Sequence, residues 1–436
     1  MDIGNKKGSN MKDKISKFIS VTKRDGLFKS IKKAIKYVIA NYYNKINIGK
    51  RIYYLVHRKR ILNEIDNALN GNYDRIMVWR SSFGWNVPLF QRSQQIAKCL
   101  SEDTSLVLYE VTRMTDKTKF IEKINDRLYL INYEISTFRK DLFKKLLEID
   151  KPKYLQMYST CWNVKKEDVD MYVENGFKML YEYIDDLNPV LAGTDKLPKN
   201  VEDIHNYVIN NTESVMVVTS ADNLYADMVK KRGSDHNIIL SSNGVDLKHF
   251  MQYTKEKIDI MENIKKDYKM IVGYYGALAS WFDYDLVKKL AKENPEIAFV
   301  LIGIKYDTSF DESDIEKIEN IKYIGAVEYN NLPKYARYFD IAWIPFVIND
   351  ITLATNPIKV FEYMALNKLI VTSPMPECKK YKSVFIANNE KDYNRIFKDF
   401  KKLKTKEYEK ILLKEANENS WENKEKDIIK LLLQNE

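Results

Sequence analysis

Lys359 and Glu362 stand three residues apart, just behind the polar run Thr355-Asn356-Pro357. On a helix that spacing puts a cation and a carboxylate on one side. Val360, Phe361, Met364 and Ala365 recur at helical spacing on the side that would face a core. Thr355 or Asn356 suits an N-cap, and Pro357 suits the first helical position. A helix starting at Asn356, Pro357 and Ile358 presents free backbone N–H groups and a partial positive charge, a ready site for phosphate. Lys359 would neutralise a diphosphate there. Glu362, one turn further in, is placed for a sugar diol. These are the parts of a nucleotide-sugar site, although an ordinary helix-strand unit of an α/β domain has the same outline. Asp185 and Asp186 close the strand-like run Tyr181-Glu182-Tyr183-Ile184. A strand-end carboxylate facing a cleft could bind hydroxyls or act as a base, or it could simply cap a turn.

The elements that must position these groups alternate along the chain. Strands are expected at Arg75–Trp79, Ser105–Glu110, Leu128–Tyr133, Lys153–Tyr158, Phe177–Ile184 and Val215–Ser220, with helical stretches between most of them, the first over Leu89–Leu100. A polar helical segment, Met251–Lys269, interrupts the series. It restarts with strands near Ile271–Tyr275, Ile297–Ile302, Ile321–Ile324, Ile341–Pro345, Leu369–Thr372 and Val384–Ile386. Two βα runs joined by a linker predict two doubly wound domains, and ligands of such sheets bind at the carboxyl ends of the strands. The cleft between the domains is therefore the expected site. Expected boundaries are 1–70 for a basic extension, 71–255 and 256–418 for the two α/β domains, and 419–436 for a closing helix that begins at Ser420-Trp421.

At 436 residues the chain exceeds one ordinary domain of about 100–150 residues. Cys99, Cys161 and Cys378 are scattered, without metal spacing or a disulfide framework, which points to a reducing compartment. Neither an apolar run long enough to span a membrane nor a secretory h-region is seen. Residues 1–60 hold 17 Lys/Arg against 3 Asp, a balance of +14, leaving −4 for the other 376 residues. The near-neutral body argues against a nucleic-acid groove. In the extension, Phe28, Ile31, Ala34, Ile35, Val38, Ile39 and Tyr42 form one helical stripe flanked by Lys29, Lys32, Lys33 and Lys36. A second basic helix is expected from Lys50 to Ala68. A lysine-flanked apolar stripe fits an anionic membrane surface, or equally a helix packed on its own domain.

Several ordered segments resemble the GT-B glycosyltransferases of the group 1, family 4 class, in the branch that builds teichuronic acid and exopolysaccharides. Val215–Ser220 followed by Asn243-Gly244-Val245-Asp246 and Phe250 is similar to the family's exit from its first domain. Gly273-Tyr274-Tyr275-Gly276 resembles the glycine loop of the second domain, and Pro295 to Gly303, Ile324-Gly325, Leu332-Pro333 and Phe339-Asp340 follow in the family's order. Pro357-Ile358-Lys359 to Glu362-Tyr363-Met364-Ala365 resembles its signature segment. The tryptophan loop with Ser82 and Trp85, and Gln91-Arg92 after it, resembles the branch's acceptor side, where Arg92 would face the cleft and pair with an acceptor phosphate. The resemblance covers residues 72–435.

It implies an α/β chain with two Rossmann-like domains facing a cleft, and a sugar transferase acting on a glycan or lipid-linked acceptor. The transferase would be retaining. The charge distribution adds a peripheral placement on the inner face of the cell membrane through residues 1–60 and no nucleic-acid partner. Lys359 and Asp185 are the expected catalytic residues, and Gly276, Asn356, Pro357, Ile358, Lys359 and Glu362 the donor contacts. No cofactor and no metal are expected, because positioned N–H groups and a lysine can stabilise a departing diphosphate. The sequence departs from the family at three points. The first of its two signature glutamates would fall at Ala354, no arginine–lysine pair follows Gly276, and none of His57, His205, His236 and His249 stands at a strand end of the early sheet, so no catalytic histidine is expected. A sugar-nucleotide epimerase of the same fold and a non-catalytic glycan- or partner-binding module are the rival readings.

Overall fold

Short apolar runs without in-out alternation, such as Arg75–Arg80 and Ile297–Ile302, are buried along their whole length. Central strands covered on both faces have this character. The computed structural model describes residues 27–87, 90–111, 116–187, 196–252 and 255–436, with the backbone alone for 27–47. The described residues divide into two units, those within 1–67 and 133–146, and those within 68–132 and 147–436.

The larger unit carries two sheets. The first is built from β1 (Arg75–Arg80), β2 (Ser105–Glu110), β3 (Ile121–Asn125), β4 (Leu128–Ile131), β5 (Lys153–Tyr158), β6 (Lys178–Tyr183), β7 (Val215–Thr219) and β8 (Ile238–Leu240), in the order β3-β4-β2-β1-β5-β6-β7-β8. All neighbours are parallel except β3 and β4. The second holds β9 (Met270–Tyr275), β10 (Ile297–Ile302), β11 (Ile321–Gly325), β12 (Ile341–Ile344), β13 (Leu369–Thr372) and β14 (Val384–Ile386), all parallel, in the order β11-β10-β9-β12-β13-β14. The helices of the chain include α1 (Leu27–Leu69), α2 (Arg92–Glu102), α3 (Ser136–Leu147), α4 (Asp222–Arg232), α5 (Ile358–Ala365) and α6 (Trp421–Leu433).

Strand order reverses beside β1 in the first sheet and beside β9 in the second, so each has a crevice at its carboxyl edge there. The loop after β1 carries Ser82 and Trp85, and the loop after β9 carries Gly276. The α/β class and the two doubly wound sheets agree with the sequence reading. Ser420 caps α6 as expected, its hydroxyl accepting from the Asn423 N–H. Trp421 at its start is buried in the core under the first sheet. The chain crosses between the sheets twice, and the crossings touch: Val245 and Ser420 form a parallel bridge. A Cβ on Gly244 would lie 2.7 Å from the Asn419 carbonyl oxygen, so only glycine allows that approach.

Three expectations are corrected. The two basic helices are one, α1, because nothing between Tyr43 and Lys50 stops a helix; Gly49 only weakens it, by about 1 kcal/mol relative to alanine. Among its described residues, Met251–Lys269 is helical only over Asp259–Asp267. The boundary at 70 also separates partners, because the smaller unit joins α1 to residues 133–146. There Lys50 pairs with Glu134 at 2.6 Å, Arg58 reaches Asp141 through two nitrogens at 2.8 Å, and Lys145 pairs with Asp66. The stripe from Phe28 to Tyr42 lies outside the residues whose side chains are described.

Candidate active site

The strand β9 ends in Tyr275 and turns sharply at Gly276, which has φ +144°. A Cβ there would come within 2.0 Å of the Lys359 Cε and 2.7 Å of its Nζ. Glycine is therefore what lets the lysine ammonium lie directly over the loop. Lys359 reaches this position from the first turn of α5, with its Nζ 5.7 Å from the centre of the Tyr274 ring. Glu362, one turn on, is 5% exposed. Burial pushes its carboxyl up to about 7, against the opposing pull of its neighbours Tyr275 and Lys359. The same burial lowers the pKa of Lys359, which Glu362 partly offsets. The pair is thus held in a dry corner where a diphosphate would keep the ammonium charged.

The start of α5 is fixed from the first sheet. Pro357 is the cap residue and Ile358 the first helical one, a shift of one position from the sequence reading. Asn356 does not cap. Its Oδ1 accepts from the Asn243 backbone N–H at 3.0 Å, and its carbonyl accepts from Asn243 Nδ2 at 2.6 Å. Its Nδ2 donates to Glu377 at 2.8 Å, and the other Glu377 oxygen accepts from the Asp222 N–H at the start of α4. This chain of bonds registers the phosphate-facing helix end against the first domain.

Between the two sheets lies a cavity of about 490 Å³. Gly276, Asn356, Pro357, Ile358, Lys359 and Glu362 line it from the second domain, and Asp185 and Asp186 from the end of β6. Seven of the expected site residues, which include Asp185, therefore come together. Asp185 opens onto the cavity, where the surrounding walls first and the charge of Asp186 second push its carboxyl up to about 6. Lys359 is the one cation lining the cavity among the described residues. Ala354 is buried, so no carboxylate stands where the family's first glutamate would be.

Ser82, Trp85 and Arg92 are corrections, since none of them lines the cavity. The Ser82 hydroxyl donates to the Thr160 carbonyl at 3.1 Å. Trp85 packs edge-on against Phe90 and Tyr109 at 5.2 Å, and its backbone N–H donates to Asp116. Arg92 is 3% exposed, bonded through Nε to Glu182 at 2.6 Å and through Nη1 to the Ser242 carbonyl. Its charge is spent inside the first domain. Groups that do face the cavity from that side include Phe83, Phe90, Thr160, Trp162 and Asn243, and Trp281, Tyr306 and Tyr329 join them from the second. The run Trp281-Phe282-Asp283 close behind Gly276 is the sequence signal for Trp281.

No family model matches the chain. A putative teichuronic acid biosynthesis glycosyltransferase, TuaH of Bacillus subtilis, is 24% identical over 120 residues, which is 27% of this chain and 30% of that protein. The match thus spans under a third of that relative. Among solved structures, Anabaena HepE in complex with UDP and glucose superposes with a TM-score of 0.60 at 11% identity, covering 83% of this chain and 100% of that one. A sucrose-phosphate synthase from Thermosynechococcus elongatus gives 0.59 at 11% identity, over 83% and 98%. The two doubly wound sheets, the cleft at their switch points and these likenesses make this a chain of the GT-B fold.

Proposed function

We propose that this chain transfers a sugar from a nucleotide-sugar donor to a glycan or lipid-linked acceptor in cell-surface polysaccharide synthesis. The observation that carries the reading is the convergence of Gly276, the start of α5, Lys359 and Glu362 on one wall of a cavity whose other wall holds Asp185. Glu362 takes the ribose diol. The N–H groups at the start of α5 and the Lys359 ammonium face the diphosphate and stabilise its growing charge as the glycosidic bond breaks. Asp185 accepts the acceptor's proton. The reaction is retaining by family resemblance and independent of metal, and the protein works at the inner face of the cell membrane, held there by its basic extension. The complex of HepE with UDP and glucose and the name given to TuaH support a nucleotide-sugar substrate and a cell-envelope product.

Activity should survive a chelator; loss that a divalent ion restores would show that a metal carries the leaving-group charge instead. The role of Asp185 has its own test. A base must be ionised, so turnover should rise with pH through about 6, where the Asp185 carboxyl titrates. Asp185→Asn should lower turnover about 10²–10⁴-fold and remove that limb. If the limb persists in the variant, another group is the base. Ala354 at the family's glutamate position favours one rival, a non-catalytic module: such a protein would bind a nucleotide sugar yet release no nucleoside diphosphate with any acceptor.

A further inference from the structure

The described part of α1 has two unlike faces. Tyr54, Ile61 and Ile65 are at most 2% exposed, and on this side Lys50 and Arg58 are paired with Glu134 and Asp141 of the same unit. The opposite face leaves Ile48, Ile52, Leu55 and Val56 57%, 58%, 64% and 71% exposed, at spacings that make one helical stripe. Side chains so apolar rarely stand together in water, and no described residue covers this face. The exposed Arg51 and Lys59 lie along this stripe. From Leu27 to Asn63 the helix carries ten Lys/Arg and not one Asp or Glu. No described helix is long and apolar enough to cross a membrane.

We infer that this stripe docks α1 flat on an anionic lipid surface, with Ile52, Leu55 and Val56 entering the acyl boundary and Arg51 and Lys59 meeting headgroup phosphates. The charge pattern selects the occupant. A second copy of the chain would bring the same acid-free surface against itself, and a nucleic acid has nothing to offer four neighbouring aliphatic side chains. An anionic bilayer answers both features, because binding to it sums apolar burial and attraction to basic flanks. The inference extends the proposed membrane placement from net charge to a defined face. It adds a contact on described residues to the stripe expected from Phe28 to Tyr42. The buried face and its ion pairs would meanwhile hold the helix to its own unit.

The test uses the full chain without donor or acceptor, so that a failure of the transferase reading cannot be mistaken for a failure of this one. Binding to vesicles of phosphatidylglycerol mixed with phosphatidylcholine, and to phosphatidylcholine alone, is measured by co-sedimentation. The wild-type chain should bind the mixed vesicles, weaken as salt rises, and bind the neutral ones poorly. The triple change Ile52→Ser, Leu55→Ser, Val56→Ser should lower the partition coefficient at least about tenfold. Its melting temperature should stay near wild type, since all three positions face solvent. Ile52→Glu alone serves as a second variant and should weaken binding in the same direction. Unchanged partitioning of folded variants would overturn the proposal, as would equal binding to neutral vesicles. So would wild-type dimers that the triple change dissociates in a protein that ignores vesicles, which would make a second copy the occupant.

Discussion

Lys359→Ala is expected to lower turnover by about one to three orders of magnitude, or about 1–4 kcal/mol at the transition state. The size follows from the lining of the cavity. Among the described residues no other cation faces it, and the loop after Gly276 offers none. Charge that builds on the leaving diphosphate then meets the lysine and the N–H groups at the start of α5. The lysine is partly desolvated, so its field is screened less than a surface lysine's would be. The effect should fall on kcat more than on KM, because the interaction strengthens as the bond breaks. Lys359→Arg should recover little. The ammonium reaches its place through a gap that Gly276 leaves open, and a longer, planar guanidinium would have to displace its surroundings to place its charge there. Equal rates for wild type and alanine variant would remove Lys359 from the mechanism.

Glu362→Gln should weaken donor binding about 10–100-fold, the loss expected when charge-assisted hydrogen bonds to a diol become neutral ones. The fold should survive, and the pH dependence of stability provides a second signature. The carboxyl has a folded-state pKa of about 7 against an ordinary 4.5, so folding favours its protonated form. This group's contribution is therefore fully present below pH 4.5 and is lost as pH rises through 7. The glutamine side chain has no such proton to lose. The melting temperature of the variant relative to wild type should rise between pH 5 and pH 8. A difference that stays flat with pH would mean that Glu362 is not held in a dry site. An unchanged donor titration would remove it from the ribose.

What could be read in the chain beforehand was what local pattern encodes. β10, β13 and β14 occupy the expected residues because continuous apolar runs between turn residues have few other uses. The segment Asn356–Glu362 was legible for a similar reason, since a helix start, a lysine and a glutamate lie within seven residues. What was not legible depends on distant partners. Arg92 looked like a cleft cation, yet Glu182, ninety residues away, claims it. Ser82 and Trp85 were assigned to the cleft from their loop, but the loop's hydrogen bonds turn them to Thr160 and Asp116 and leave Phe83 and Phe90 facing the cavity. Asn356 fits an N-cap by type, and only its contacts with Asn243 and Glu377 reveal another task. The strand β3, Ile-Glu-Lys-Ile-Asn, escaped notice because it is a largely exposed edge strand with little apolar pattern.

The most direct measurement is a thermal-shift panel of nucleoside diphosphates and nucleotide sugars against the wild-type chain and Glu362→Gln. A ligand at a hundred times its dissociation constant stabilises the folded state by about 2.7 kcal/mol, a shift of a few degrees in a protein of this size. At least one nucleotide sugar, and its nucleoside diphosphate, should raise the wild-type melting temperature without added metal, and the shift should vanish or shrink sharply in the variant. If no nucleoside diphosphate or nucleotide sugar shifts the wild type, or if the variant responds as fully as wild type, the cavity between Gly276 and α5 is not a nucleotide-sugar site.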